Sequence, residues 1–343
     1  MTRVFLALAL TCLTAAVSPA AVKKSPVKKT AAAAATKTTL RAAAPAGTAH
    51  RRSPYVGAIS VDAGTGKIIF EDNADGEAYP ASVTKLMTLL LVVEDVKNGK
   101  YSFDDAVTAT ADAYRSEPSW VGLKAGEKMT VRDLCIALMV ESANDAAIVL
   151  GVHSAGSFDG FVARMNARAA ELGMKRTRYY NPNGLPPNSA KRYPWKSFNV
   201  STARDQMLLA RRLVREPEVL KFTSIKTCDL VKTGDGYRAS VTRRTNERPT
   251  PTAAAEGERI VKQMRNHNNV MRVDKLKITN ADGTEAVDGL KTGFIEAGGS
   301  SVVLTGRRKG RRVIVVVLGS SSAKERDDNA SRLLVDALGT VVW

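Results

Sequence analysis

The sequence predicts an α+β fold in which one sheet is assembled from strands at both ends of the folded region, with a helical insert between them. Two observations lead there. Short runs rich in Val, Ile and Phe, bounded by turn residues, occupy 55–75 and return at 286–320. Between them the apolar residues recur at helical spacing. Strands and helices segregated in this way pack as a sheet covered by helices, and pairing the first strands with the last closes it.

Each element has its own signal. "YVGAISVDAGTGKIIFEDNAD" (55–75) reads as two strands around the "AGTG" turn. Pro80 then punctuates the chain, and apolar residues at 86, 87, 89, 90, 92 and 93 wrap a helix running to about Lys97. "TVRDLCIALMVES" and "NDAAIVLGVHS" are two helical stretches with a break at 142–144. "FDGFVARMNARAAELGM" follows, then the turn-rich "RYYNPNGLP", then "STARDQMLLARRLVR" with Ser201 as its expected cap. "AVDGLKTGFI" (286–295), "SSVVLTGRR" (300–308) and "RRVIVVVLGS" (311–320) are strands, and "RDDNASRLLVDAL" (326–338) is the last helix. No repeat and no second domain after that helix are expected.

The first 52 residues read differently. Arg3 precedes the apolar run "VFLALALTCLTAAV", and "SPA" places Ser18 and Ala20 where a signal peptidase requires small residues. Residues 1–21 are therefore expected to be a signal peptide, and the run is short for a membrane span. Cys12 has no convincing lipobox before it. Residues 22–52 hold eight lysines and arginines and no acid, and the first acid in the chain is Asp62. Such a stretch has almost nothing to bury, so a disordered basic linker is expected, with a possible electrostatic contact to anionic wall or membrane surface. Of the net charge of +17, this tail and Arg3 carry nine, leaving residues 53–343 only mildly basic. Behind an export signal, nucleic acid is not the expected partner.

Cys135 and Cys228 stand 93 positions apart, and the sequence leaves their pairing open. Cys135 lies in an apolar helical run, which favours a buried thiol. His50, His153 and His267 are scattered, and no cysteine or histidine pair has zinc-ligand spacing, so no metal and no cofactor is expected. The absence of G-x-S-x-G disfavours a serine–histidine triad.

"PASVTKLMT" (80–88) carries the chemistry. A serine hydroxyl is a poor nucleophile until a base removes its proton. On a helix starting near Ser82, Lys85 lies one turn on and on the same face. The Ser82 N–H would be among the free donors at that helix start, aimed at a developing oxyanion. A lysine serves as base only if its pKa falls far below about 10.4, which burial and a second cation both promote. The S-x-x-K spacing alone is weak, since Ser25–Lys28 and Ser321–Lys324 repeat it in a linker and a polar turn.

Two further elements add weight. "ESANDAA" places Ser142 and Asn144 at a break between helices, and "LKTGF" places Lys291, Thr292 and Gly293 on a strand. Each has a competing copy. Ser197 and Asn199 in "KSFN" fall in a loop, and Lys232, Thr233 and Gly234 in "VKTGDG" read as a hairpin tip. The order S-x-x-K, S-x-N, K-T-G is that of penicillin-binding proteins and serine β-lactamases. Over about residues 55–340, "AISVDAGTGKIIFEDNADGEAYPASVTKLMT", "MNARAAELGMKRTRYYNPNGLP", "STARDQMLLARRL" and "VDGLKTGFIEAGGSSVVLTG" make the chain resemble the low-molecular-mass D-alanyl-D-alanine carboxypeptidases of peptidase family S11.

That resemblance implies a β-lactamase/transpeptidase-like fold, with a five-stranded antiparallel sheet flanked by helices, a helical subdomain, and the site between the two. It implies Ser82 as the acylated nucleophile, Lys85 as its base, and Ser142 as a proton relay. Asn144 would hold Lys85 and the substrate amide. Lys291 would be the second cation. Thr292 and Arg326 would grip the substrate carboxylate, and the N–H groups of Ser82 and Phe294 would form the oxyanion hole. Ala143 departs from the glycine frequent there, so its methyl could shift the loop. Many relatives also carry a second β-rich domain and an amphipathic C-terminal helix, whereas this sequence stops at Trp343. An exported, soluble D,D-carboxypeptidase acting on peptidoglycan stem peptides in the periplasm or cell-wall space is implied, with β-lactams as covalent inhibitors. The alternative is a D,D-endopeptidase that cuts cross-links. A class A β-lactamase is disfavoured because no E-x-x-L-N exists and Arg178 stands 36 residues after Ser142. A non-catalytic wall-binding module is disfavoured by the intact set of polar residues.

Overall fold

The computed structural model describes residues 51–339, apart from 112, 114–117, 188–195, 248, 273–275, 277, 281 and 283. The expected signal peptide, Cys12, His50 and nearly all of the basic linker lie outside the described residues.

Strands β1 (Gly57–Asp62) and β2 (Ile68–Asp72) flank the expected turn. At the other end of the chain come β8 (Val287–Ile295), β9 (Gly299–Arg308) and β10 (Arg311–Ser320). The five form one antiparallel sheet in the order β2-β1-β10-β9-β8. The sheet is closed as the sequence predicts, by β1 pairing with β10, with Gly57 opposite Leu318 and Asp62 opposite Val313.

The near-continuous apolar run of β10 follows from burial on both faces. Val313, Val315 and Val317 join a cluster with Ala330, Leu333, Leu334 and Ala337 of helix α8 (Ala323–Leu338). Ile314, Val316 and Leu318 face the opposite way, into the main core. That core also holds Leu86, Met87, Leu89 and Leu90 of α1 (Lys85–Lys97), Leu134 and Leu138 of α2 (Val131–Val140), and Leu150 of α3 (Asn144–Ala155). The two-stranded β3 (Ala106–Thr108) and β4 (Lys128–Thr130) precede α2. Helices α4 (Phe158–Glu171), α5 (Ala203–Leu213) and α6 (Pro217–Thr223) complete the helical insert.

The structure departs from the sequence expectations in four places. The helix after Pro80 opens as a 3-10 turn over Ala81–Thr84 before α1 begins. The cap of α5 is Thr202, whose Oγ1 accepts from the N–H of Asp205 at 3.1 Å. Ser201 instead pairs its backbone with Ala78 across a β-bridge. Helix α8 starts three residues early because the Ser322 hydroxyl accepts from the N–H of Glu325. A three-stranded sheet was not anticipated: β5 (Ile225–Lys232), β6 (Tyr237–Arg244) and β7 (Arg259–Arg265), in the order β6-β5-β7, followed by the short α7 (Asn269–Arg272). The "VKTGDG" copy is the tip between β5 and β6, as expected. Cys135 and Cys228 are both buried free thiols.

Candidate active site

The 3-10 turn carrying Ser82 lies against β8, the edge strand of the sheet. A Cβ added at Gly293 would lie 2.5 Å from the Pro80 carbonyl oxygen and 3.1 Å from the Ser82 nitrogen, so only glycine permits this approach. Ala81, just before the nucleophile, has φ 49, a left-handed conformation costly for a residue with a Cβ. Gly184, with φ 83, packs so closely that a Cβ there would lie 1.9 Å from the Ala81 carbonyl oxygen. Two glycines from distant segments thus confine one turn.

Lys85 is fully buried at the first position of α1. Its Nζ lies 2.9 Å from Ser82 Oγ, 2.7 Å from Asn144 Oδ1 and 2.7 Å from the Asn183 carbonyl oxygen. Two of these partners can only accept. A neutral amine donates one N–H to each and keeps its lone pair for Ser82, whose hydroxyl can donate. The charge balance favours that state. Burial lowers the Lys85 pKa well below its ordinary value, Lys291 lowers it further, and Asp145 opposes.

Lys291 is buried on β8 and donates to its neighbour's carbonyl at Thr292. Burial, then Arg326, bring its pKa down to about 7, with Glu141 opposing. A second buried lysine therefore stands close enough to Lys85 to lower its pKa. Thr292 is buried beside it, and Phe294 projects into solvent, 59% exposed.

Ser142 and Asn144 occupy the break between α2 and α3. Ser142 adopts φ 62, which turns the chain and leaves Ala143 at an ordinary φ of −59. The methyl of Ala143 is buried in the main core. The Ser142 hydroxyl is buried and meets no hydrogen-bond partner among the described residues. Such an orphaned donor calls for a partner that arrives with a ligand or water. The break is braced by Asp145, whose carboxylate accepts the N–H groups of Val121, Gly122, Leu123 and Ala146.

Arg326 combines both readings open to it. Its Nε and Nη2 bind Asp327 at 2.8 and 2.7 Å, as an ordinary surface arginine would. Yet it is 5% exposed and close enough to Lys291 to depress its pKa.

The structure therefore ties Ser82, Lys85, Asn144, Lys291, Gly293 and Arg326 together, with Ser142, Thr292 and Phe294 beside them in the chain. It adds residues that carried no sequence signal. Asn183 contributes a backbone carbonyl, which no side-chain motif reveals. His267, between β7 and α7, reaches solvent, yet burial and the neighbouring Lys291, Lys85, Lys262 and Arg272 hold its pKa down to about 4. Its flanking residues Asn266 and Asn268 are buried and bind the carbonyls of Ile225 and Gly289.

A model of the D-alanyl-D-alanine carboxypeptidase family, peptidase S11, matches residues 47–249, more than half of the chain. The chain belongs to this family. The match includes Ser82, Lys85, Ser142 and Asn144 and ends before β8. Family members among its relatives include a Bacillus subtilis D-alanyl-D-alanine carboxypeptidase, 33% identical over 48% of this chain and 40% of the relative. A Pseudomonas aeruginosa D-alanyl-D-alanine endopeptidase is 34% identical over 45% of this chain and 46% of that protein. The chain thus aligns with about two fifths of the first curated relatives' length. Among solved structures, the D-alanyl-D-alanine carboxypeptidase DacD from Francisella tularensis superposes with a TM-score of 0.69 at 28% identity, covering 87% of this chain and 73% of that one. Penicillin-binding protein D2 from Listeria monocytogenes, in its ampicillin-bound form, superposes with a TM-score of 0.62 at 28% identity over 84% of this chain and 98% of that one. The family fold and the five-stranded antiparallel sheet expected from the resemblance are both present.

Proposed function

We propose that this chain is an exported serine D,D-carboxypeptidase that removes the terminal D-alanine from peptidoglycan stem peptides. The observation that carries the reading is the buried Lys85 amine, 2.9 Å from Ser82 Oγ and beside a second buried lysine. Ser82 Oγ attacks the carbonyl of the penultimate D-alanine while its proton passes to Lys85 Nζ. The oxyanion forms against the N–H groups of Ser82 and Phe294. The proton then moves by way of the Ser142 hydroxyl to the leaving nitrogen, the C–N bond breaks, and D-alanine departs. A water attacks the resulting ester and gives a proton to Lys85, and Ser82 leaves with that proton. Asn144 holds Lys85 and the substrate amide, while Lys291, Thr292 and Arg326 hold the substrate's terminal carboxylate. β-Lactams imitate the D-alanyl-D-alanine end and acylate the same hydroxyl.

The same reading assigns residues 1–21 to a signal peptide, 22–52 to a basic linker in salt-sensitive contact with anionic polymers, and 53–343 to the peptidase domain in the periplasm or cell-wall space. Among the described residues no single helix is long and apolar enough to cross a membrane.

Benzylpenicillin should leave a covalent adduct on Ser82 that mass spectrometry detects, and Ser82→Ala should take none. An adduct persisting in that variant moves the nucleophile elsewhere. The Pseudomonas relative favours a second reading, cleavage of cross-links. Digesting purified peptidoglycan separates the two: released D-alanine marks a carboxypeptidase, and loss of dimeric muropeptides marks an endopeptidase.

A further inference from the structure

The segment 198–201, outside every motif assigned to the chemistry, grips the nucleophile turn at both ends. Before the turn, the Phe198 ring stacks on Tyr79 with centroids 4.3 Å apart and planes 8° from parallel. Ser201 and Ala78 exchange two backbone hydrogen bonds of 3.0 and 2.8 Å. Within the turn, Asn199 Nδ2 donates to Thr84 Oγ1 at 3.0 Å.

Asn199 also reaches the loop that orients the base. Its Nδ2 group lies 3.0 Å from the Asn181 carbonyl and 3.3 Å from Asn181 Oδ1. Its Oδ1 accepts the N–H groups of Tyr180 and Asn181 at 2.7 and 3.2 Å. Asn181 Oδ1 in turn accepts the N–H groups of Gly184 and Asn183 at 2.6 and 3.3 Å. The carbonyl of Asn183 is an acceptor of Lys85 Nζ. Asn199, Asn181 and Thr84 are all buried, so each broken bond strands a polar group away from water.

We propose that Asn199 is a positioning residue of this site. One amide fixes the turn carrying Ser82 and the loop whose carbonyl aims Lys85, and so sets hydroxyl and amine relative to each other. The inference rests on the proposed Ser82–Lys85 chemistry and adds a residue to it.

The test uses benzylpenicillin and the purified chain, measuring three quantities: the fraction of molecules that acylate, the non-covalent affinity, and the limiting acylation rate. Asn199→Leu removes the amide. Thr84→Val removes only its acceptor and keeps the side-chain shape. Each should slow acylation roughly 10- to 100-fold, the scale of misplacing reacting groups. The reacting fraction and the affinity should stay within about twofold, as expected when binding contacts are untouched. The double variant should be no slower than the slower single, because both cut one link. Asn166→Ala serves as control, since Asn166 pins the same loop through Tyr179 N and O at 2.9 and 2.8 Å. It should lower Tm and leave the acylation rate unchanged.

Wild-type acylation rates in folded Asn199→Leu overturn the proposal. So does slowing in Asn199→Leu and Asn166→Ala that merely tracks their losses in Tm. Should Asn199→Leu give no reacting fraction, Thr84→Val decides alone, and an unchanged rate there overturns the proposal. Failure of the wild-type chain to acylate at Ser82 instead removes the functional reading itself and this inference with it.

Discussion

Lys85 can take a proton only while uncharged, and its surroundings penalise the charged form. The sign of the pH dependence follows. With the Lys85 pKa depressed by burial and by Lys291, acylation should rise with pH through a midpoint well below that of free lysine. Lys291→Met removes a neighbouring positive charge, so that midpoint should move to higher pH, as stopped-flow acylation across neutral and alkaline pH would read. A flat profile counts against Lys85 as the titrating base. Arg326 tests the carboxylate grip. Arg326→Ala should lower kcat/KM for peptides ending in free D-alanine by roughly 10- to 100-fold, the loss of a charged hydrogen bond, and far less for amidated peptides. Equal loss on both leaves Arg326 as a partner of Asp327 alone. At this scale the sequence was informative wherever a side chain is proposed to act through its own chemistry at a fixed spacing, as for Ser82, Lys85, Ser142, Asn144 and Lys291. It was mute on Asn183, whose carbonyl is common to every residue type. It set Asn199 aside as a competing S-x-N copy in a loop and gave no sign of the bonds its amide makes to Thr84 and Asn181.

The elements were legible where burial imposes a period and illegible where a contact from far away overrides it. The strand pattern of β10 and the helix of α1 follow from apolar spacing. The 3-10 turn before α1 does not, because it is held by Gly184 and Gly293, which approach from other segments. Gly184→Ala tests this. At φ 83, with a Cβ 1.9 Å from a carbonyl oxygen, alanine cannot be seated without moving the turn. We expect a stability loss above about 1 kcal/mol from the backbone conformation alone, together with a collapse of the acylation rate. Calorimetry and benzylpenicillin labelling would show both, and an alanine variant with wild-type acylation would mean that the turn tolerates displacement. Strands β5 to β7 were missed for another reason. Six of the fifteen residues in β6 and β7 are lysine or arginine, and they mask the short Tyr237, Ala239, Val241 alternation of β6 that packs on the core.

Across the molecule, the sheet is packed on both faces, and its apolar residues divide between α8 and the helical insert. Ile314 is fully buried on the insert side. Ile314→Ala should cost about 2–5 kcal/mol, read as a lower urea midpoint at unchanged m-value. A smaller loss would mean that the core relaxes into the space. The outline of this architecture was readable because strands sit at both ends of the chain. The register was not, since it depends on which turns of α1, α5 and α8 meet which strands. The pairing of β1 with β10 has a temporal side. Gly57 emerges from the ribosome long before Leu318, its partner in the ladder. Until β8, β9 and β10 arrive, β1 lacks a neighbour on one side and Ser82 lacks the strand that bears Lys291. On the proposed chemistry, the chain would be unreactive until that strand is in place. Its proposed reactivity toward penicillin would then begin when the C-terminal hairpin docks, and labelling during refolding would time that long-range step.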